Sequence, residues 1–406
     1  MSTEPNPGAD GAVTGVAGAK RVVFVGLLFT AMGAATLAAP SLGILATFII
    51  DDLEISRSLL GWVIATNVVL AAVLSPFTGR FVDRIGGKAG LVSVFIIAAV
   101  AFAFFGFTPV VALLFLASAF SAVAQSGANP STNKLIGEDL PPGERGVTTG
   151  IKQSGVQAAI MVAGLVLPTA AIAYGWRGAM LLLVLVPVVG AVVAVVVLPP
   201  SEHRTTRGEG SAGRLPPSIP WLSTYGFFMG FAGSVTFFIA LFAEESLGLD
   251  PRIGGLAVAV VAVTAFAARI LWARTAERRR EFLGALGTMA ILSVIASALL
   301  LASTGWIWLL WPGAVLTGAS SSAWNSVGML AVINEAGAVT GRASGFVLLG
   351  FLTGLGIGPP LYGATVDATG SYTMMWLISM AAATVGFGLV WVWRGRRDDQ
   401  VARTTG

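Results

Sequence analysis

Two residues stand out for the chemistry they can do. Lys152 and Arg269 each place a positive charge inside a long apolar run, where ionisable side chains are costly and by default functional. Each lies five residues from the end of its run, about 7 Å in at 1.5 Å per residue. Cations at that depth with no carboxylate beside them repel one another and lose hydration, and an anionic solute relieves both costs. The competing reading is structural: long side chains snorkel to headgroups or cap the carbonyl end of a neighbouring helix.

Uncharged polar residues form a second set. Ser118, Ser121, Gln125, Asn129 and Thr132 recur at steps of three and four and so share one helical face. Thr317, Ser321, Trp324 and Asn325 repeat the pattern further on. Such stripes avoid lipid, and they either line a cavity, with Trp324 as an aromatic wall, or hydrogen-bond between helices. The candidate solute-binding set is Lys152, Arg269, Gln125, Asn129, Gln157, Trp324, Asn325, Ser321 and Asn67.

Other chemistries lack their residues. Cysteine is absent and His203, the lone histidine, sits among loop charges, so no disulfide, thiolate or metal site is expected. The one Gly-Lys pair, Gly87-Lys88, has neither the upstream glycine nor the following Ser or Thr of a phosphate loop, which argues against an ATP-driven pump. No Asp or Glu falls near the middle of an apolar run. Glu244, Glu245 and Asp367 lie at one set of ends, and Asp83, Glu138, Glu144, Glu277 and Glu335 at the other. A membrane-embedded enzyme would need a converging acid/base pair or metal site, and none is offered, so no catalysis and no cofactor are expected.

The elements that carry these residues are membrane helices. Only 11% of the chain is charged and mean hydropathy is +0.84, against roughly a quarter charged for a soluble domain. Apolar runs predict helices 1 to 6 near 22–50, 57–79, 90–107, 110–133, 147–173 and 176–198. Helices 7 to 12 follow near 219–243, 252–274, 282–303, 305–331, 342–366 and 372–393. The expected organisation is a flexible tail over 1–19, a six-helix bundle over 20–198, a polar linker over 199–218, a second bundle over 219–394 and a tail over 395–406.

Basic residues collect at the end of the helices that carries both termini and the linker, leaving Arg57, Arg177 and Arg252 on the other. That is the positive-inside bias, and it predicts a multi-pass inner (cytoplasmic) membrane protein with both termini cytoplasmic. Scattered over short loops, these charges form no nucleic-acid surface, so the expected partners are the lipid bilayer and a small anionic solute, with a monomer as the working unit.

The two halves echo one another at a shift of 194 to 196 positions. Gly79–Arg84 matches Ala273–Arg278; Asp51, Leu53 and Gly61 match Glu245, Leu247 and Gly255; and Asn129 matches Asn325. Gly150, Gly155 and Gly175 match Gly345, Gly350 and Gly370. A near-constant shift over separated places argues duplication of a six-helix unit with a cavity between the copies. Lys152 and Arg269 break the symmetry, since Val347 and Ser75 stand at their counterparts.

Gly79-Arg80-Phe81-Val82-Asp83-Arg84-Ile85-Gly86-Gly87-Lys88, between helices 2 and 3, resembles the loop signature G-x-x-x-D-R-x-G-x-[RK] of the major facilitator superfamily. The resemblance implies an all-α membrane protein, twelve helices in two six-helix bundles related by pseudo-two-fold symmetry, working by alternating access. It further implies a conformational latch at Gly79, Asp83, Arg84 and Lys88, with Arg274, Glu277 and Arg278 as the second copy; the competing reading is a loop that only sets topology. In that fold helices 5 and 8 face each other, so Lys152 and Arg269 are expected to converge. Arg269 is placed similarly to the helix 8 arginine of oxalate/formate and monocarboxylate transporters, which grips a carboxylate there.

Two family motifs are missing. Ser121 and Ala122 stand where proton-coupled members often carry an arginine on helix 4, and Gly164-Leu165-Val166-Leu167-Pro168 replaces the G-P-x-x-G-G of drug exporters. A secondary active or facilitative transporter of a small organic anion, a carboxylate, is therefore expected, with proton-coupled export of drugs or metabolites as the alternative.

Overall fold

The computed structural model describes residues 7–198, 215–279, 281–336 and 340–405, and every regular element among them is helical. Helix 1 comes in three pieces, Pro7–Thr36, Ala38–Ile44 and Ala46–Leu53, and is followed by helix 2 (Arg57–Ile85), helix 3 (Gly87–Gly106) and helix 4 (Val111–Asp139). Helices 5 and 6 run on as Pro142–Leu182 and Leu185–Val197, with the chain turning at Gly175, where φ is +71° and glycine alone carries no steric penalty. Helix 7 is Ser218–Gly233, a 3₁₀ turn Ser234–Phe238, and Ile239–Glu245. Helix 8 is Pro251–Arg279 and helix 9 Phe282–Ala302. Helix 10 is broken into Leu310–Ala319 and Trp324–Ala336; helix 11 is Thr340–Thr369 and helix 12 Thr373–Thr405. Among the described residues these elements make twelve spans, with helix 1, helix 7 and helix 10 broken, against the twelve expected.

The ends differ from expectation. Helix 1 starts at Pro7, so 7–19 is helical where a flexible tail is expected: proline suits a first helical position and no helix breaker of that strength follows it. Helix 12 likewise runs on through the expected tail to Thr405. Residues 199–214 of the linker lie outside the described residues.

Packing realises the duplication. Helices 1, 2, 3 and 4 pack with 5 and 6 in one bundle and helices 7 to 12 in the other, while helix 2 meets helix 11 and helix 5 meets helix 8 between them. Glycines permit the closest approaches. A Cβ at Gly155 would strike the Phe29 carbonyl of helix 1, and one at its counterpart Gly350 would strike the Ser223 carbonyl of helix 7. Between the bundles, Gly61 lies on Pro359 and Gly255 on Gly164, again counterparts at the repeat shift.

The basic residues of the terminal face finish helices. Lys134 Nζ donates to the Val82 and Asp83 carbonyls at 3.3 and 2.8 Å, ending helix 2. Arg145 donates to Leu140 and Gly137 at 2.8 Å, ending helix 4, and Lys88 donates to Val195 at 2.9 Å and to Leu198, ending helix 6. Each cation meets the negative pole of a helix dipole and a carbonyl with no helical donor.

The opposite face is closed between bundles. Arg57 holds Glu245 through Nε and Nη2, both at 2.8 Å, and approaches Asp367 at 3.4 Å. Asp367 in turn accepts from the Arg57 and Ser58 backbone N–H at 3.1 and 2.8 Å, so a carboxylate of one bundle caps a helix of the other. Tyr372 donates to Glu245 at 2.6 Å. On the terminal face the ion pairs Arg21–Glu144, Lys134–Asp83 and Arg394–Glu281 each stay within one bundle.

Candidate functional site

A cavity of about 270 Å³ lies between the bundles, and a second of about 410 Å³ adjoins it toward the terminal face. Gln153, Gln157, Arg269 and Asn325 line both. Gln125, Asn129, Thr36, Thr236, Ser321 and Ser322 add hydrogen-bonding groups to the central cavity, and Pro40, Phe237, Val258, Val261 and Leu355 add apolar wall. Among the described residues, Arg269 is the only charged side chain lining either space.

Arg269 is held loosely for a cation in this setting. Nε and Nη2 both donate to one acceptor, the Ser322 carbonyl, at 3.2 and 3.0 Å. A guanidinium carries five N–H donors in a planar fork suited to a carboxylate, so capacity remains for a solute. Its depth also exceeds expectation. Helix 8 continues to Arg279, ten residues beyond Arg269, or about 15 Å along the axis.

Lys152 corrects the expected convergence. It is fully buried against helix 4, where Nζ donates to Thr132 Oγ1 at 2.8 Å, Asn133 Oδ1 at 2.5 Å and Asn129 Oδ1 at 3.3 Å, and it lines neither cavity. The cause is azimuth. One residue along an α-helix is a rotation of about 100°, so Gln153 and Gln157 face the cavity while Lys152 faces its own bundle. Lys152 acts on the site at one remove, since Asn129 Oδ1 also accepts from Gln153 Nε2 at 3.1 Å.

Trp324 and Asn67 are corrected for the same reason. Trp324 is buried beside Tyr225 and Phe351, with Gly226 and Gly328 against its ring, and lines neither cavity, whereas its neighbour Asn325 lines both. Asn67 is buried on helix 2 and donates to the Ser118 carbonyl at 3.3 Å. The stripe on helix 4 therefore divides: Gln125 and Asn129 reach the cavity, Ser118 lies against Asn67, and Thr132 serves Lys152. Gln153, Thr36, Thr236 and Ser322 line the cavity without having been candidates, and of these Gln153 had a signal, since its spacing of four from Gln157 puts both on one face.

The latch residues stay on the terminal face. Gly79 lies near Pro130 of helix 4, Asp83 approaches Lys134 at 3.8 Å, and Lys88 caps helix 6; Arg84, Arg274, Glu277 and Arg278 are exposed. Asp83 thus meets a lysine of its own bundle.

The family model described as Major Facilitator Superfamily matches residues 23–341. The hexuronate transporter of Bacillus subtilis (strain 168) is 27% identical over 157 residues, 37% of this chain and 36% of that protein, so the match spans about a third of that relative's length. Among solved structures, a peptide transporter, POT, aligns with a TM-score of 0.75 at 14% identity over 92% of this chain and 94% of that one. A nucleoside transporter, NupG, gives 0.72 at 14% over 91% and 99%. A bacterial homologue of the human lysosomal transporter Spinster, in an inward-facing and unoccupied conformation, gives 0.72 at 17% over 91% and 95%. At these identities the structural likenesses speak for fold alone.

Proposed function

This chain belongs to the Major Facilitator Superfamily, and from that membership we propose that it transports a small organic anion, a monocarboxylate bearing hydroxyl groups, by alternating access. One observation carries the reading: a single cation, Arg269, in a cavity lined by no carboxylate among the described residues. A lone guanidinium balances one negative charge, and a solute that arrives with that charge relieves its desolvation. Around it stand five carboxamides, Gln125, Asn129, Gln153, Gln157 and Asn325. Each offers both donors and an acceptor, the complement of a row of hydroxyls. A sugar acid has both features, and the partial likeness to a hexuronate transporter supports the same class.

The positive-inside bias makes the terminal face cytoplasmic, so the larger cavity opens inward in this conformation and the Arg57–Glu245–Asp367 contact closes the outside. In the opposite state the loop at Asp83, Arg84 and Lys88, with its partner at Arg274, Glu277 and Arg278, closes the cytoplasmic side.

The test is uptake of labelled D-glucuronate and of uncharged D-glucose into proteoliposomes, with and without a pH gradient. Glucuronate is expected to enter and glucose to be excluded. Arg269→Gln is expected to lower glucuronate uptake about 100-fold, the worth of a good charge-assisted pair. Equal uptake of both sugars, or undiminished uptake by the variant, removes the anion reading.

A further inference from the structure

The break in helix 10 is where Arg269 takes its present partner. Three serines, Ser320, Ser321 and Ser322, occupy it, and such hydroxyls compete with the backbone: Ser320 Oγ donates to the Leu316 carbonyl at 2.6 Å and Ser321 Oγ to Thr317 at 3.4 Å. The helical ladder is lost there. Ser322 N–H reaches back to Thr317 at 3.3 Å, Ala323 and Trp324 N–H share the Ser320 carbonyl at 3.0 and 3.1 Å, and Ser326 N–H turns to Ala323 at 3.1 Å. Among the carbonyls left without the donors a continuous helix supplies are those of Ala319 and Ser322.

Both are recovered by helix 8. Trp272 Nε1 donates to the Ala319 carbonyl at 2.9 Å, and Arg269 donates to that of Ser322. Residues 269 and 272 are three apart on one face, so a single helix clamps the two sides of the break. At hydrocarbon depth an uncapped carbonyl is costly, which gives the clamp its strength. Among the described residues the first half of the chain has no such device. Helix 4 runs unbroken, and of the counterparts Ser75 and Thr78 only Thr78 reaches it, at the Ser126 carbonyl, 3.0 Å away.

The two clamps differ in that Arg269 lines the cavity and Trp272 does not. We propose that Trp272 is a positioning residue for the solute: it fixes the first half of helix 10, leaving Arg269 to exchange the Ser322 carbonyl for the carboxylate of the solute. The role of the solute rests on the anion reading above; the role of the clamp does not. Without the indole N–H, Ala319 and Ser322 compete for the one remaining donor group, and the guanidinium is drawn away from the solute.

The chain has no cysteine, so paired spin labels at Ile270→Cys and Met329→Cys, both facing the larger cavity, report the distance between helices 8 and 10 without background. Trp272→Phe keeps a ring and removes the donor. It is expected to broaden and lengthen that distance in the absence of any solute, and to weaken D-glucuronate binding about fivefold with Vmax within twofold of the parent, the effect of one hydrogen bond. A changed distance in a protein that binds no glucuronate sustains the clamp and sinks the anion class instead. An unliganded distance distribution identical to the parent's overturns the proposal.

Discussion

The seam between helices 2 and 11 and the seam between helices 5 and 8 are counterparts in the repeat, yet their charges are placed differently. Both are closed by the same contact, Gly61 on Pro359 in one and Gly255 on Gly164 in the other. At the end of the first away from the chain termini, Arg57 reaches Glu245 and Asp367 of the second bundle. Its counterpart in the second seam, Arg252, uses its backbone N–H on Asp250 of its own loop, and Ile172 stands where Asp367 has its counterpart. The acidic end of helix 1 is held inside its own bundle, Asp52 accepting from Arg177 at 2.6 Å and Trp176 at 3.2 Å. Conversely, among the described residues only the second seam carries a cavity-lining cation at mid-depth, Arg269. The repeat thus has two seams of close-packed backbone: one carries an inter-bundle ion pair, the other the cavity-lining cation proposed above as the solute contact.

The shared part of the comparison is the easiest to break. Gly61→Val and Gly255→Val each drive a side chain into opposing backbone, and overpacking of this kind costs about 1–3 kcal/mol. Applied to the closed seam alone, the upper end of that range is about a 100-fold loss of glucuronate uptake, and the two variants are expected to match within threefold. A large difference between them, measured in the same proteoliposomes, would show that the seams do not move as equivalents.

The unshared charges predict a smaller and one-sided effect. Arg57→Gln removes a bidentate inter-bundle pair that is partly solvated, worth roughly 1.4 kcal/mol after screening, and so a tenfold shift toward the outward-open state. Thr236→Cys faces the central cavity and reports that shift as faster labelling by an impermeant maleimide from outside. Arg252→Gln is expected to stay within twofold of the parent. Equal acceleration by both variants would return the lock to the scaffold as a symmetric property.

Which helix carries a residue was legible in the sequence; direction around the helix was not, and Arg269 lies five residues deeper than its apolar run implies. Hydropathy and the constant shift gave twelve spans, two bundles, the turn at Gly175 and the pairing of Gly155 with Gly350, because lipid enforces length and close packing enforces glycine. Among the candidate site residues, Arg269, Gln125, Asn129, Gln157, Ser321 and Asn325 line the central cavity, while Lys152, Trp324 and Asn67 turn into their bundles. Lys152 and Trp324 each sit one residue from a lining amide. A stripe three or four residues in period leaves an uncertainty of that size until the neighbouring helices are placed. The break in helix 10 was hidden for another reason: serines within an apolar run disturb hydrogen bonding without interrupting hydropathy.

Lys152 therefore offers the smallest effect on transport and the sharpest contrast with Arg269. A buried cation costs roughly 3 kcal/mol at this depth, and three charge-assisted hydrogen bonds at about 1.5 kcal/mol or more each outweigh it, so the lysine stabilises its bundle. Its partners are neutral, so Lys152→Met leaves no stranded charge behind. The expected result is a thermal midpoint a few degrees lower with glucuronate affinity within threefold of the parent. A loss of affinity as large as that of Arg269→Gln, in a variant that still folds, would place Lys152 in the path of the solute and make helix 5 the cationic equal of helix 8.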